Sequence, residues 1–219
     1  MHCLPGDASK RQRRTRYCIH IMMGLFIDMM RLFGILSYEV RDRDRLAEAR
    51  LVLANHPSLL DVVFLISLIP DANCIVKGPL TRNIFTRGPV TAAGYIINET
   101  ADEVIEAAAA AFAEGQSVIV FPEGTRTTPG QALDFKRGAA NVALRAGSDI
   151  TPVLIYCKPT TLTKNEPWYR VPPRPMRYRF LVRDRIPISP YSTLSPSVGA
   201  RKLTRDLVAF FEQELSAHD

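Results

Sequence analysis

Cysteine and histidine are both rare in this chain. The four cysteines, Cys3, Cys18, Cys74 and Cys157, are scattered, with no Cys-x-x-Cys pair and no metal-ligand spacing to histidine. That argues against a zinc ribbon or a disulfide framework and points to reduced thiols in a cytosolic setting. No metal site and no bound cofactor are expected. Two of the four histidines, His2 and His218, lie at the termini, so His20 and His56 are the internal candidates for acid–base work. There is no Gly-x-Ser-x-Gly elbow to support a serine mechanism. There is no internal repeat, and no low-complexity segment beyond the helix-favouring Ala107 to Ala111. Nor is there an uninterrupted apolar run of spanning length. Tyr17 to Leu36 comes nearest, but it carries His20, Asp28 and Arg31, which a spanning helix rarely holds without a buried purpose.

What is present is apolar and basic. Nearly half of the 219 residues are hydrophobic (47%), the mean hydropathy is −0.01 and the net charge is +6. One domain with a sizeable core fits this length. The charge suggests an anionic partner, either nucleic acid or a membrane surface. A nucleic-acid reading rests on charge alone, because no zinc spacing, reader motif or aromatic-interleaved basic element accompanies it.

Residues 1–16 hold Lys10, Arg11, Arg13, Arg14 and Arg16 without apolar periodicity, and read as a basic flexible arm. Residues 17–37 read as an amphipathic helix, with Ile19, Met22, Met23, Phe26, Met30 and Phe33 on one side. Such a helix could lie in the headgroup region of an anionic membrane, helped by the arm, or pack on its own domain. A signal peptide is disfavoured by Asp28, Arg31 and the lack of a small-residue cleavage site. Residues 38–219 alternate short apolar strands with helices. This predicts an α/β fold with a mixed, mostly parallel central sheet flanked by helices. Thr100 with Glu103 predicts a capped helix ending before Gly115. Met176 to Arg183 reads as an edge strand with an Arg177, Arg179 and Arg183 row. Lys158 to Pro175, rich in proline and holding Trp168, reads as a loop.

Two stretches carry chemistry. Leu51 to Ala54 is a short apolar run that reads as a buried strand, followed by Asn55-His56-Pro57-Ser58 and a helical run from Leu59 to Ile69. His56 then sits on a strand-to-helix turn with Asp61 in the first helical turns. A carboxylate there can reach one imidazole nitrogen, fix the tautomer and leave the other nitrogen to take a proton from a hydroxyl. The same residues also fit an ordinary helix start, capped by Asn55 or Ser58. The second stretch, Phe121-Pro122-Glu123-Gly124-Thr125-Arg126, follows the apolar strand Ser117 to Phe121. Amides near Gly124, the Thr125 hydroxyl and the Arg126 guanidinium could hold a phosphate, with Lys136 and Arg137 nearby. If the two strands are parallel, both turns emerge on one rim of the sheet, where open α/β sheets place ligands.

Taken together, the His-x4-Asp element His56 to Asp61 and the Phe-Pro-Glu-Gly-Thr-Arg element resemble the lysophospholipid and 1-acylglycerol-3-phosphate acyltransferase family. Ile150-Thr151-Pro152-Val153 resembles a further family strand, and the resemblance covers roughly residues 50–157. It implies acyl transfer from acyl-CoA or acyl carrier protein to a lysophospholipid hydroxyl, with 1-acylglycerol-3-phosphate as acceptor, in phospholipid biosynthesis. It implies catalytic roles for His56 and Asp61 and headgroup binding by Glu123, Gly124, Thr125 and Arg126. Asn55, Ser58, Lys136 and Arg87 complete the candidate substrate-binding set. The implied location is the cytoplasmic face of a membrane, held peripherally or monotopically. The sequence departs from the family at Gly94 to Glu99, where a motif arginine is missing; Arg82 or Arg87 could replace it, or the acceptor could differ. A non-catalytic membrane-binding module is the competing class.

Overall fold

The computed structural model describes residues 7–217 apart from Asn83, Asn165, Trp168 and Val171. Its elements are α1 (Ala8–Leu32), β1 (Leu36–Arg41), β2 (Leu51–Ala54), α2 (Asp61–Leu68), β3 (Ala72–Lys77), α3 (Pro79–Arg82), α4 (Ile84–Ala93) and β4 (Ile96–Asn98). They continue with α5 (Ala101–Ala113), β5 (Ser117–Val120), α6 (Gly138–Ala146), β6 (Ile150–Lys158), β7 (Met176–Val182), α7 (Ser189–Ser192) and α8 (Pro196–Ala217).

The strands form one sheet in the order β1-β7-β6-β2-β5-β3-β4. β2 pairs in parallel with β5 on one side and β6 on the other, and β3 is parallel to β5 and β4. β7 runs antiparallel to β6, and β1 is parallel to β7. The carboxyl ends of β2, β5 and β6 therefore share one rim, and β7 and β1 begin at that rim. Alternation along β2 splits the core: Val52 and Ala54 join the layer under α1 and α2, while Leu51 and Leu53 join the layer under α5, α6 and α8. The expected α/β fold, a mixed and mostly parallel sheet flanked by helices, is observed.

Several elements differ from the sequence expectation. Residues 8–16 are not a flexible arm: they are the first turns of α1, with residues 1–6 outside the described set. The Asp7 side chain caps the helix by accepting from Lys10 N. Arg16 is 2% exposed and pairs with Asp71 at 2.6 Å, while its Nη1 donates to Ala93 O at 2.8 Å. Tertiary partners thus order what looked like a solvated charge run. β7 is not an edge strand, because β1 pairs along its far side. Two arginines of the expected row are engaged, Arg179 lying 4.5 Å over the Tyr156 ring and Arg183, just past β7, pairing with Glu214 of α8, while Arg177 is exposed. Just before α6 starts at Gly138, the Lys136 N–H is taken by Pro122 O at 2.7 Å and Phe135 turns inward against Phe211.

α1 lies antiparallel to α2. Its N-terminal half is fixed at Asp71, just before β3 starts, and its C-terminal end leads into β1 at the rim. Ile19 and Ile27 are buried, and His20 Nδ1 lies 2.9 Å from Ile66 O of α2. The opposite face is apolar and exposed: Ile21, Met22, Leu25, Met29, Leu32 and Phe33. Among the described residues, no helix is long and apolar enough to cross a membrane.

Replacing Arg16 by Ala removes both the Asp71 pair and the Ala93 bond. We expect a loss of about 3 kcal/mol, at the low end for a buried pair because Asp71 keeps 25% of its side chain exposed. Chemical denaturation measures it, and an unchanged midpoint would show that α1 does not depend on this pair.

Candidate active site

The two motif turns meet at the rim because β2 and β5 are adjacent and parallel. β2 ends at Ala54, and Asn55 replaces the next rung of the ladder with its side chain. Its Nδ2 donates to Ile155 O and its Oδ1 accepts from Ile155 N, both at 2.8 Å. An amide side chain offers one donor and one acceptor, as a peptide does, so the strand stops without orphaning β6. The chain is then free to turn at His56.

His56 Nδ1 lies 2.9 Å from Asp61 Oδ2, and the Ser58 backbone N–H donates to the same oxygen at 2.7 Å. Asp61 is fully buried at the first position of α2. Its ionised carboxylate can only accept, so Nδ1 carries the proton and Nε2 is left as the base. Burial pushes the Asp61 carboxyl up to about 6; the bonds from His56 and Ser58 oppose that rise and Glu123 adds to it. The imidazole stacks on Phe121, with ring centres 4.1 Å apart, and remains 15% exposed.

The second turn holds the first from both sides. Glu123 Oε1 accepts from the His56 N–H and from Thr127 Oγ1, each at 2.9 Å, and the Thr127 N–H donates to His56 O at 2.7 Å. Burial also raises the Glu123 carboxyl, against the bonds it accepts from His56 and Thr127. Gly124 adopts φ +65°, a left-handed conformation that glycine reaches without strain, and faces open space. Arg126 Nη1 donates to Leu162 O at 2.8 Å, and the same carbonyl accepts from Leu59 N at 3.1 Å. Leu162 has φ +54°, a strained setting for a branched side chain, and it joins the Pro-rich loop to both turns.

The structure redistributes the candidate set. His56 and Asp61 are in contact and lie against the Glu123 to Arg126 turn. Asn55 and Ser58 are not substrate-facing: both are buried, Asn55 on Ile155 and Ser58 Oγ 2.7 Å from the Tyr178 hydroxyl. The Glu123 side chain is likewise turned inward to hold His56. Gly124, Thr125 and Arg126 remain on the rim. Lys136 is exposed and paired with Asp134, and Arg87 is exposed on α4, which packs with α1 and α3. Sequence reasoning missed Thr127, Leu162 and Tyr178. Thr127, adjoining the motif, had a signal; the other two lie far along the chain. Among the described residues no cluster could hold a metal ion. A cleft of about 450 Å³ lined by Arg137, Asn141 and Arg145 lies between α6 and α8 and shares no residue with either turn.

Comparison with known proteins places this geometry. A family model described as Acyltransferase matches residues 37–156. The chain is 32% identical over 145 residues to human 1-acyl-sn-glycerol-3-phosphate acyltransferase beta, covering 61% of this chain and 51% of that protein. It is 27% identical over 176 residues to 1-acyl-sn-glycerol-3-phosphate acyltransferase of Limnanthes alba, covering 74% and 58%. It is 31% identical over 114 residues to the Helicobacter pylori protein of the same name, covering 49% and 48%. The chain thus spans about half the length of these relatives. In fold it resembles the crystal structure of the 1-acyl-sn-glycerophosphate (LPA) acyltransferase PlsC from Thermotoga maritima, with a TM-score of 0.69 at 20% identity, covering 99% of this chain and 86% of that one.

Because the Asp61 carboxylate is what keeps the His56 proton on Nδ1, turnover is predicted to fall as pH drops through about 6, where that carboxylate takes a proton. Initial rates from about pH 8 down to about 5 read this directly. Full activity at the acidic end would exclude an ionised Asp61 from the mechanism.

Proposed function

Since the chain belongs to the acyltransferase family, we propose that it moves a fatty acyl group from an acyl thioester to the hydroxyl of a lysophospholipid, with 1-acylglycerol-3-phosphate as acceptor. The observation that carries this is the junction of the two turns. A base oriented by a buried carboxylate stands beside a glycine turn that bears a threonine and an arginine. The first suits a hydroxyl nucleophile and the second suits its phosphate.

In this reading His56 Nε2 removes the acceptor's hydroxyl proton as the oxygen attacks the thioester carbonyl. The tetrahedral oxyanion collapses, the carbon–sulfur bond breaks, and the imidazolium returns its proton to the departing thiolate. A thioester is already activated, so no acyl-enzyme and no bound cofactor is needed. Thr125, Arg126 and the open backbone at Gly124 receive the phosphate. The donor is acyl-CoA or acyl carrier protein.

Incubation with each donor and 1-acylglycerol-3-phosphate, followed by lipid mass spectrometry and thiol release, tests the reading. Phosphatidate should form, and His56→Ala should lower kcat on the order of a thousandfold while leaving the fold intact. Lipid binding without thiol release from any donor would instead favour a non-catalytic module.

The acceptor is a membrane lipid, and α1 offers the means to reach it. Its exposed apolar face ends at the rim with Leu32 (83% exposed), Phe33 (69%) and Ile35 (40%). Leu59, next to the His56 turn, is 40% exposed. Lys10, Arg11, Arg13 and Arg14 precede this face on the same helix. An interfacial helix sunk in an anionic leaflet would bring the rim to the lipid headgroups. We place the protein peripherally on the cytoplasmic face, where thiols stay reduced and thioester donors are made. Flotation with anionic vesicles should recover the protein, and Leu25→Glu with Met29→Glu should abolish recovery. Undiminished flotation of that variant would remove α1 from the membrane contact.

A further inference from the structure

A buried polar chain runs from the sheet into the His56 turn, and no step of acyl transfer requires it. The Tyr178 hydroxyl lies 2.7 Å from Ser58 Oγ, and both residues are buried. The Ser58 backbone N–H in turn donates to Asp61 Oδ2 at 2.7 Å, the oxygen that faces His56 Nδ1 at 2.9 Å. Asp61 Oδ1 is buried with no hydrogen-bond partner among the described residues. The carboxylate is therefore gripped through one oxygen, and its angle depends on where the Ser58 amide points. The same residue is anchored on its other side, where its hydroxyl meets that of Tyr178.

Tyr178 is well placed to do the fixing. It lies on β7 in register with Cys157 of β6 and Tyr38 of β1, so its backbone is paired on both sides. Its ring packs against Phe64 of α2, with centres 4.7 Å apart. Burial keeps the phenol protonated, so it remains able to donate. A buried serine needs only one partner to be satisfied. This partner ties Ser58 to a strand two places away from β2 in the sheet.

We propose that Tyr178, acting through Ser58, is a positioning residue that sets the orientation of Asp61 and so of the His56 imidazole. The proposal rests on the acyltransferase reading, because it assigns a duty within the same site. The titratable groups that face Asp61 are His56 and Glu123 from the two turns, Cys157 from β6 and Tyr178 itself. From α1, His20 lies against the backbone of α2 at Ile66 O.

The test is Tyr178→Phe, which keeps the ring and removes the hydroxyl. We expect kcat to fall roughly ten- to hundredfold with KM for the acceptor little changed, as for a misaligned base. The acidic limb of the pH profile should move to higher pH, because a poorly aimed Ser58 amide stabilises the carboxylate less. Ser58→Ala should reproduce both effects, and the double variant should be no worse than either single one, since the two hydroxyls act as a unit. The Nδ1–H proton of His56, read by NMR in the protein alone, should shift or broaden in both variants. That signal also separates this proposal from the functional reading, because it needs no substrate. A folded Tyr178→Phe protein with unchanged kcat, pH profile and imidazole proton would reduce Tyr178 to core packing. Lowered melting temperature alone, or additive losses in the double variant, would overturn the proposal equally.

Discussion

The parallel pairing of β2 with β5 is the constraint from which the site follows. Two strands that run the same way and touch must release their next residues at the same edge. His56 and the Glu123 to Arg126 turn, far apart in sequence, become neighbours by that fact alone. The hydrogen bonds between the turns then convert proximity into geometry. Glu123 takes the His56 N–H, and the Thr127 N–H gives to the His56 carbonyl, so the peptide that carries the imidazole is clamped on both sides. The glutamate of the motif is a structural clamp, while Gly124 is exposed and Thr125 and Arg126 are half-buried on the rim.

Two buried carboxylates lie in this small region, and their environments separate their duties. Asp61 is fully buried and faces an imidazole, which makes its charge useful only while the histidine proton stays on Nδ1. Glu123 faces a backbone amide and a hydroxyl, neither of which titrates. Burial works against ionisation of both, and the hydrogen bonds each accepts oppose that effect. An arginine placed against Asp61 would hold the charge more firmly, but would compete with the imidazole for it.

Much of this was legible in the sequence because local rules agreed with the fold. Leu51 to Ala54 is a strand because four apolar residues end at an asparagine, and Thr100 starts α5 because its hydroxyl takes the Glu103 N–H. The His56–Asp61 contact needs only five residues of spacing across a strand-to-helix turn. What failed depends on distant partners. Residues 8–16 read as a mobile basic arm until Asp71 and Ala93 supply Arg16 with acceptors. The Met176 strand reads as an edge because alternating arginines suit solvent, yet β1, Tyr156 and α8 cover it. Asn55 and Ser58 read as substrate ligands because they flank the histidine, and their true partners, Ile155 and Tyr178, lie about a hundred residues on. Polar residues beside a motif are ambiguous until the far side of the sheet is known.

The Leu162 carbonyl makes one point of the proline-rich excursion a shared support for both turns. Between the end of β6 and Leu162 the chain is short, and the Leu162 carbonyl holds both Leu59 and Arg126. A single inserted residue there would shift a carbonyl on which both walls of the site lean. Homologues that keep both turns should therefore keep the spacing from the end of β6 to Leu162.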